Sequence, residues 1–297
     1  MAASEWFWQG NGSVVYQDYQ GAHRHRYLLG VGALAAGEYL DRGGFKLGYN
    51  YRHKNFIASA DQDPQDLDAN FLHLSGHGHF YPSLLHGRLT LRMDIYLGRD
   101  EYHYLVSVPD PVLQPASRDN VLVLNPHVAF LNAAKTRYFD LGYAYSRYRS
   151  TVGVMDNLYL HQWTPALGVG FNRDHDWLQL RGIYIHLSPS QRVAEKDSTT
   201  ALEVAWRRKF GSAKPLGVSS FTLTLLAGER VYAVDSDARV VHAEGDLQKG
   251  GLTLAVQWKL EGESYLRLQG GYARYQDTAS SENYSGTGVT ATLSRRW

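Results

Sequence analysis

The chain has no cysteine among its 297 residues, which removes disulfides, thiolate metal sites and cysteine nucleophiles together. A cysteine-free chain also suits passage through an oxidising compartment. Long apolar runs are missing too: mean hydropathy is -0.37, and a membrane-spanning helix needs about 20 consecutive apolar residues. That excludes transmembrane helices and leaves a closed β-barrel as the only way to span a bilayer. There is no Pro/Gly/Ser-rich linker and no excess of one charge, since 30 basic residues stand against 29 acidic ones. One domain over residues 1–297 is expected. The basic residues are dispersed and form no patch, so nucleic acid is not an expected partner. Met1-Ala2-Ala3-Ser4 runs straight into Trp6-Phe7-Trp8 with no signal segment. Met1 is read as an initiator placed on a mature or excised sequence, and a longer native chain is expected.

What the chain does have is alternation at period two, repeated from end to end. In Arg88 to Gly98, Leu89, Leu91, Met93, Ile95 and Leu97 point one way, while Thr90, Arg92, Asp94 and Tyr96 point the other. Such a strand has one apolar and one polar face. About fourteen copies are readable, at 5–19, 26–40, 45–56, 70–81, 88–105, 120–132, 137–149, 157–172, 177–188, 199–210, 218–232, 247–260, 264–276 and 284–297. Two fit poorly: 177–188 loses phase near Gly182, which predicts a bulge, and Pro126 interrupts 120–132. Short turn-rich connections alternate with longer ones near 20–25, 57–69, 106–119, 150–156, 189–198, 233–246 and 277–283. This is the pattern of short periplasmic turns and longer outer loops, with both termini periplasmic.

The apolar face carries aromatics at strand ends and aliphatics in the middles, for example Phe45, Leu47, Tyr49 and Tyr51, or Leu252, Leu254, Val256 and Trp258. That gradient fits a bilayer, whereas a sandwich core places its large aromatics centrally. The fold class is therefore all-β: a transmembrane antiparallel up-and-down barrel of about 14 strands. A soluble sandwich or carbohydrate-binding module is the non-membrane alternative.

The last strand, Val289-Thr290-Ala291-Thr292-Leu293-Ser294-Arg295-Arg296-Trp297, alternates and closes on an aromatic residue. In this the chain resembles the bacterial outer-membrane β-barrels, whose assembly machinery reads such a terminus. Leu293 and Trp297 match that signal, while Arg295 stands where a second apolar residue is usual. The architecture is similar to fourteen-stranded monomeric porins and to the barrel domains of polysaccharide exporters or surface-lipoprotein translocators. The resemblance implies an outer-membrane location and a monomer. Its implied partners are membrane lipid, lipopolysaccharide and the assembly machinery.

The alternate residues then line the interior: Lys46, Arg52, Arg92, Arg181, Arg207, Lys259, Arg267 and Arg296 against Asp94, Asp140 and Glu203. Field focusing between low-dielectric walls favours anions in such a lumen. The same side chains can instead pair with the acids and with Tyr hydroxyls and brace the wall. His73, Ser75, His77 and His79 share one face, with His127 on another inward strand. Same-face neighbours stand roughly 7 Å apart, so a shared metal needs a ligand from another strand. Polar lining is the plainer role, and no metal or cofactor is expected.

A lipid-hydrolysing barrel sets its nucleophile outside. His73 with Ser75 lies inside, His186 with Ser188 is the other Ser-His pair, and no Gly-x-Ser-x-Gly elbow is present. No enzyme is expected. Asp61 to Asp68 lacks the glycine and closing glutamate of a calcium loop and reads as solvated. The expected function is a channel for small hydrophilic solutes, anionic or saccharide, with a water-filled bore unless the loop near 106–119 or 233–246 folds into it. The alternative is the barrel of a polysaccharide or surface-lipoprotein exporter.

Overall fold

The computed structural model describes residues 6–21, 25–39, 42–56, 64–104, 117–152, 157–173, 175–188, 196–211, 217–235, 246–277 and 281–297. Fourteen strands form one closed antiparallel barrel in which each pairs with its sequence neighbours and β1 with β14. They are β1 Trp6–Gln20, β2 His25–Tyr39, β3 Gly43–Phe56, β4 Pro64–Phe80, β5 Gly87–Tyr104, β6 Ser117–Asn132 and β7 Arg137–Val152. The second half comprises β8 Leu158–Phe171, β9 Asp176–Ser188, β10 Ser198–Lys209, β11 Val218–Arg230, β12 Leu247–Lys259, β13 Ser264–Gln276 and β14 Asn283–Arg296. Closure leaves no strand edge, as lipid requires. At the seam Trp8 and Trp297 exchange two backbone hydrogen bonds of 3.0 Å each.

The outer wall is the apolar face read from the sequence. Val14, Val31, Leu47, Leu74, Leu91, Met93, Leu141, Leu167, Leu180, Leu225, Leu254 and Val289 are all exposed there, in the middles of their strands. At the short-turn end Trp6, Trp8, Tyr39 and Phe45 form an aromatic cluster with ring centroids 5.3–6.0 Å apart, and Phe80, Phe171 and Trp297 are exposed at the same end. Tyr16, Tyr49, Tyr184 and Tyr272 lie toward the other end. Two aromatic girdles around an aliphatic belt match the two interfaces of a bilayer.

Three expectations are corrected. β9 has no bulge: Trp163 pairs Tyr184 and Ala166 pairs Arg181 in one unbroken register. Its phase looked lost because the inner residues Ile183, Ile185 and Leu187 are themselves apolar and buried. Pro126 does remove ladder partners, yet Leu124–Tyr145 and His127–Gly142 keep the same register on either side, as expected of a residue that lacks only its donor. β4 starts at Pro64, so Asp66 and Asp68 belong to a strand, where Asn55, Tyr51, His53 and His103 bond their carboxylates. Asp61 to Asp63 lie outside the described residues.

Candidate transport pathway

Register and burial divide the interior into two halves. In the extracellular half, β4 to β10 turn Phe71, Tyr96, Val121, Val123, Tyr148, Leu158, Leu160, Ile183, Ile185, Leu187 and Ala201 inward, all buried in one apolar cluster. A barrel of this width cannot close over its lumen with wall side chains alone. The missing volume comes from Val231, Tyr232, Ala233 and Val234, just after β11, which are buried in the same cluster. Gln162 of β8 holds this segment: its amide donates to the Val234 carbonyl at 2.7 Å and accepts from the Val234 N–H at 2.8 Å. Tyr232 packs on Tyr148 with centroids 5.0 Å apart.

Bulges turn the chain inward at this point. β11 slips register between Ala227 and Arg230, and β12 between Gln248 and Gly250. Gly228 sits in the slip at φ 103, and a Cβ there would stand 2.5 Å from the Thr200 carbonyl oxygen. Arg230 then bonds Gln248 at 2.8 Å and Asp235 at 3.0 Å, tying the segment back to the wall. The expected water-filled bore is thus interrupted, by the start of one of the two loops named for that role. Residues 105–116 of the other lie outside the described residues.

Beside the cluster, between β1–β3 and β11–β14, runs a cavity of about 260 Å³ whose lining includes Gln17, Tyr19, Lys54, Gln248, Tyr275 and Tyr284. Tyr275 and Tyr284 stack at 5.1 Å, Gln17 donates to the Tyr275 hydroxyl at 3.1 Å, and the Tyr284 hydroxyl donates to Asp246 at 2.6 Å. The Lys54 ammonium lies 5.1 Å from the Tyr19 ring centre.

The periplasmic half is open and basic. A chamber of about 510 Å³ is lined by Arg92, Lys135, His175, Arg181, Arg207 and Lys209, with Asp140 as its acid, and by Leu131, Tyr138, Trp177 and Gln179. The Trp177 indole lies against the inner face of β8, where Gly168 leaves room for it: a Cβ there would come within 2.6 Å of the ring. Tyr138 meets the same indole edge-on at 6.3 Å. Aromatic faces and guanidinium groups therefore share one chamber.

Every interior residue named from the sequence faces inward by register, but they divide between bracing and open positions. Asp94 is buried and pairs with Arg92 at 2.9 Å and His73 at 3.2 Å. His73 stacks on Tyr96 at 4.6 Å, and His127 contacts Asp140 at 3.4 Å. Both histidines are buried in the wall and do not line the opening. Arg181 pairs with Glu203 at 3.1 Å, Lys259 with Glu263 at 3.7 Å, and Arg296 lies 4.3 Å from the Phe7 ring centre. Arg207 is exposed to the chamber, Arg267 donates to Gln269 at 3.3 Å, Arg52 lines the upper cavity, and Lys46 is half-buried.

Glu38, His77 and His79 bring one ligand atom each within 4.8 Å of one another. Glu38 supplies the cross-strand ligand that the histidines alone lacked. The Glu38–His77 contact is 3.7 Å, and the positive charges of Lys46, Arg88 and Arg92 also act on His77. The sequence reading missed Gln162, the 231–234 segment and Trp177. A short apolar run, Val-Tyr-Ala-Val, at the start of a polar loop was the available signal.

No family model matches the chain, and no curated protein does. Solved structures match over nearly its whole length. A FadL homologue of Pseudomonas aeruginosa has 9% identity and a TM-score of 0.52, covering 98% of this chain and 89% of that one. The toluene transporter TodX of Pseudomonas putida has 9% identity and a TM-score of 0.55, covering 99% and 90%. The monoaromatic hydrocarbon channel CymD has 8% identity and a TM-score of 0.54, covering 99% and 88%. At such identities the likeness is one of fold: the chain is a fourteen-stranded outer-membrane barrel with the architecture of FadL-type channels.

Proposed function

We propose that the protein is a passive outer-membrane channel for small amphipathic anions, molecules with an apolar or aromatic body and one acidic group. The observation that carries this is the periplasmic chamber, where Trp177 and Tyr138 stand beside Arg92, Arg181, Arg207 and Lys209. The indole of Trp177, with Tyr138 and Leu131 beside it, offers an apolar body a contact surface. Guanidinium groups offer a carboxylate paired donors. The like charges of Arg207 and Arg267 act on each other, a repulsion that an anion between them relieves.

The fold's neighbours named for toluene and monoaromatic hydrocarbons support an apolar component in the solute. The luminal charge supports the anionic component, which plain hydrocarbons lack. Saccharide passage receives less support, since sugar tracks need a run of polar hydroxyl partners, and the extracellular half is packed with Val, Leu and Ile. A polymer or lipoprotein exporter is not favoured, because that packing leaves little bore for a macromolecule. Movement down a gradient needs no covalent step, and the chain is read as a non-enzyme. Leu293 and Trp297, both exposed on the outer wall, are proposed as its assembly signal.

The test is planar-bilayer recording of the purified protein with chloride, benzoate and toluenesulfonate salts. Anion preference is expected, with benzoate competing against chloride current at millimolar levels. Arg181→Gln combined with Arg207→Gln should bring the anion-to-cation permeability ratio down at least threefold, and Trp177→Ala should weaken benzoate competition alone. Cation preference in the unaltered protein would sink the reading.

A further inference from the structure

We infer that the outer surface of β5, β6 and β7 carries a docking site for a phosphorylated glycolipid of the outer leaflet. Four guanidinium groups converge there. Arg99 of β5, Arg118 of β6, and Arg147 and Arg149 of β7 all have the parity of the lipid-facing residues. The register places them in adjacent rows: Arg99 pairs with Asn120, which pairs with Arg149, while Arg118 lies one step further out opposite Glu101. With strands about 4.8 Å apart and same-face residues about 7 Å apart, neighbouring members of the group stand roughly 7–10 Å apart along the backbone, and the farthest pair, Arg118 and Arg147, roughly 15 Å.

Their height is what identifies the ligand. Arg99 stands two residues beyond Leu97, which is exposed on the lipid belt, and Arg149 shares its row through Asn120, while Arg147 lies one step nearer the belt, opposite Leu122. A cation at the first polar step above the belt meets headgroups and neither acyl chains nor bulk water. The loop-bearing end of the barrel puts this step in the outer leaflet.

The charge is unbalanced. On β5 to β7, Glu101 is the acid among the described residues of this face, held by Arg99 at 2.6 Å and by Arg118 at 2.9 Å; Asp68 of β4, opposite it in register, is taken up by Tyr51, His53 and His103. It orients these two groups without cancelling four. Arg147 lies 5.9 Å from the Tyr159 ring centre, which fixes its plane and leaves it charged. At the same height on β3 and β4 stand Tyr51, His53, Asp66 and Asp68, so the patch is local to three strands. Arginine's flat fork suits phosphate oxygens, and the apolar strip below Arg99 accepts the acyl chains of the same molecule.

The experiment compares native mass spectra and thermal stability of the whole protein, extracted from one outer membrane, with those of the Arg99→Gln/Arg118→Gln/Arg147→Gln/Arg149→Gln protein. The unaltered protein should retain lipopolysaccharide through purification, and the fourfold variant should retain at least tenfold less. Added lipopolysaccharide should raise the melting temperature of the unaltered protein by several degrees. Dephosphorylated lipopolysaccharide, phosphatidylglycerol vesicles and inorganic phosphate should each do less. If the fourfold variant does not fold, the pair Arg99→Gln/Arg149→Gln replaces it, with Arg→Lys at the same two positions restoring part of the retention. Equal retention by the variant, or equal stabilisation by phosphate alone or by phosphatidylglycerol, overturns the site. Because these residues lie outside the lumen, ion selectivity should not change, so this test and the channel test fail independently.

Discussion

The extracellular and periplasmic halves of the interior are built from the same strands and do opposite things. Above, β4 to β10 present Val, Leu, Ile, Tyr and Ala that are buried in one cluster with a four-residue segment. Below, the same strands present Arg92, Asp140, Arg181 and Arg207 around an open chamber. The inner face of a membrane barrel is therefore not polar by default. Its polarity follows from whether that level holds water or packed chain. The outer face meets lipid at mid-height all round, so its aliphatic belt runs unbroken around the ring and changes only toward the girdles and the rim.

The sharpest way to break this contrast is to dissolve the upper packing. Changing Val231, Tyr232 and Val234 together to serine removes apolar area worth about 1.5–3 kcal/mol for each large side chain. Unfolding stability should fall by on the order of 5 kcal/mol by the same measure, and single-channel conductance should rise several-fold. Unchanged conductance would mean that the segment does not obstruct the path. Gln162→Ala is the milder version. It leaves the N–H and C=O of Val234 buried without their partner, at about 1–3 kcal/mol for each group. It should produce brief openings in place of a permanently larger current.

A comparison within one strand comes next in size. Leu160 and Leu167 both lie on β8, the first 1% exposed against the packed interior and the second 58% exposed on the lipid belt. Leu167→Ala loses only transfer free energy, about 2 kcal/mol, since acyl chains close around the gap. Leu160→Ala adds a cavity that its neighbours only partly fill, for a total of about 3–5 kcal/mol. Urea titration of the barrel refolded in vesicles measures both. Equal losses would show that the upper cluster is as fluid as lipid.

The same two solvents account for what could be read from the chain. The outer face alternates cleanly against a polar inner one wherever the inner one is wet, so β5, with Leu89 to Leu97 against Thr90 to Tyr96, was legible to within a residue or two. β9 was placed equally well, at 177–188 against Asp176–Ser188, but its phase was misread as a bulge, because Ile183, Ile185 and Leu187 face a packed interior and both faces become apolar; period two fades although the strand does not. The start of β4 was hidden by Pro64, Asp66 and Asp68, which score as loop formers, whereas here the two carboxylates bond His53, Asn55 and His103 across the outer surface. The basic lining was visible as a list of residues. Its division into braces such as Arg92 with Asp94 and open groups such as Arg207 depends on which cross-strand neighbour is acidic, and register fixes that.

The smallest effect concerns the rim where the packed segment leaves the wall. Glu229 lies past Ala227, the outermost lipid-facing residue of β11, and bonds Lys196, with Lys249 at 3.5 Å on its other side. The hydrogen bond from Lys196, helped by both positive charges, holds this carboxyl below the usual glutamate range. A carboxyl whose pKa is depressed on folding stabilises the fold at neutral pH and loses that contribution as pH falls through the folded-state value. Glu229 is partly exposed, so solvent screening limits the contribution to a few tenths of a kcal/mol and at most about 1. Glu229→Gln should therefore be slightly less stable than the unaltered protein at pH 7, and the gap should close on acidification below the ordinary carboxylate range. Other carboxylates titrate alike in both proteins and drop out of the difference. A gap that persists at acid pH would mean that Glu229 acts through packing and not through charge, and would detach the rim from the control of the segment that fills the upper half.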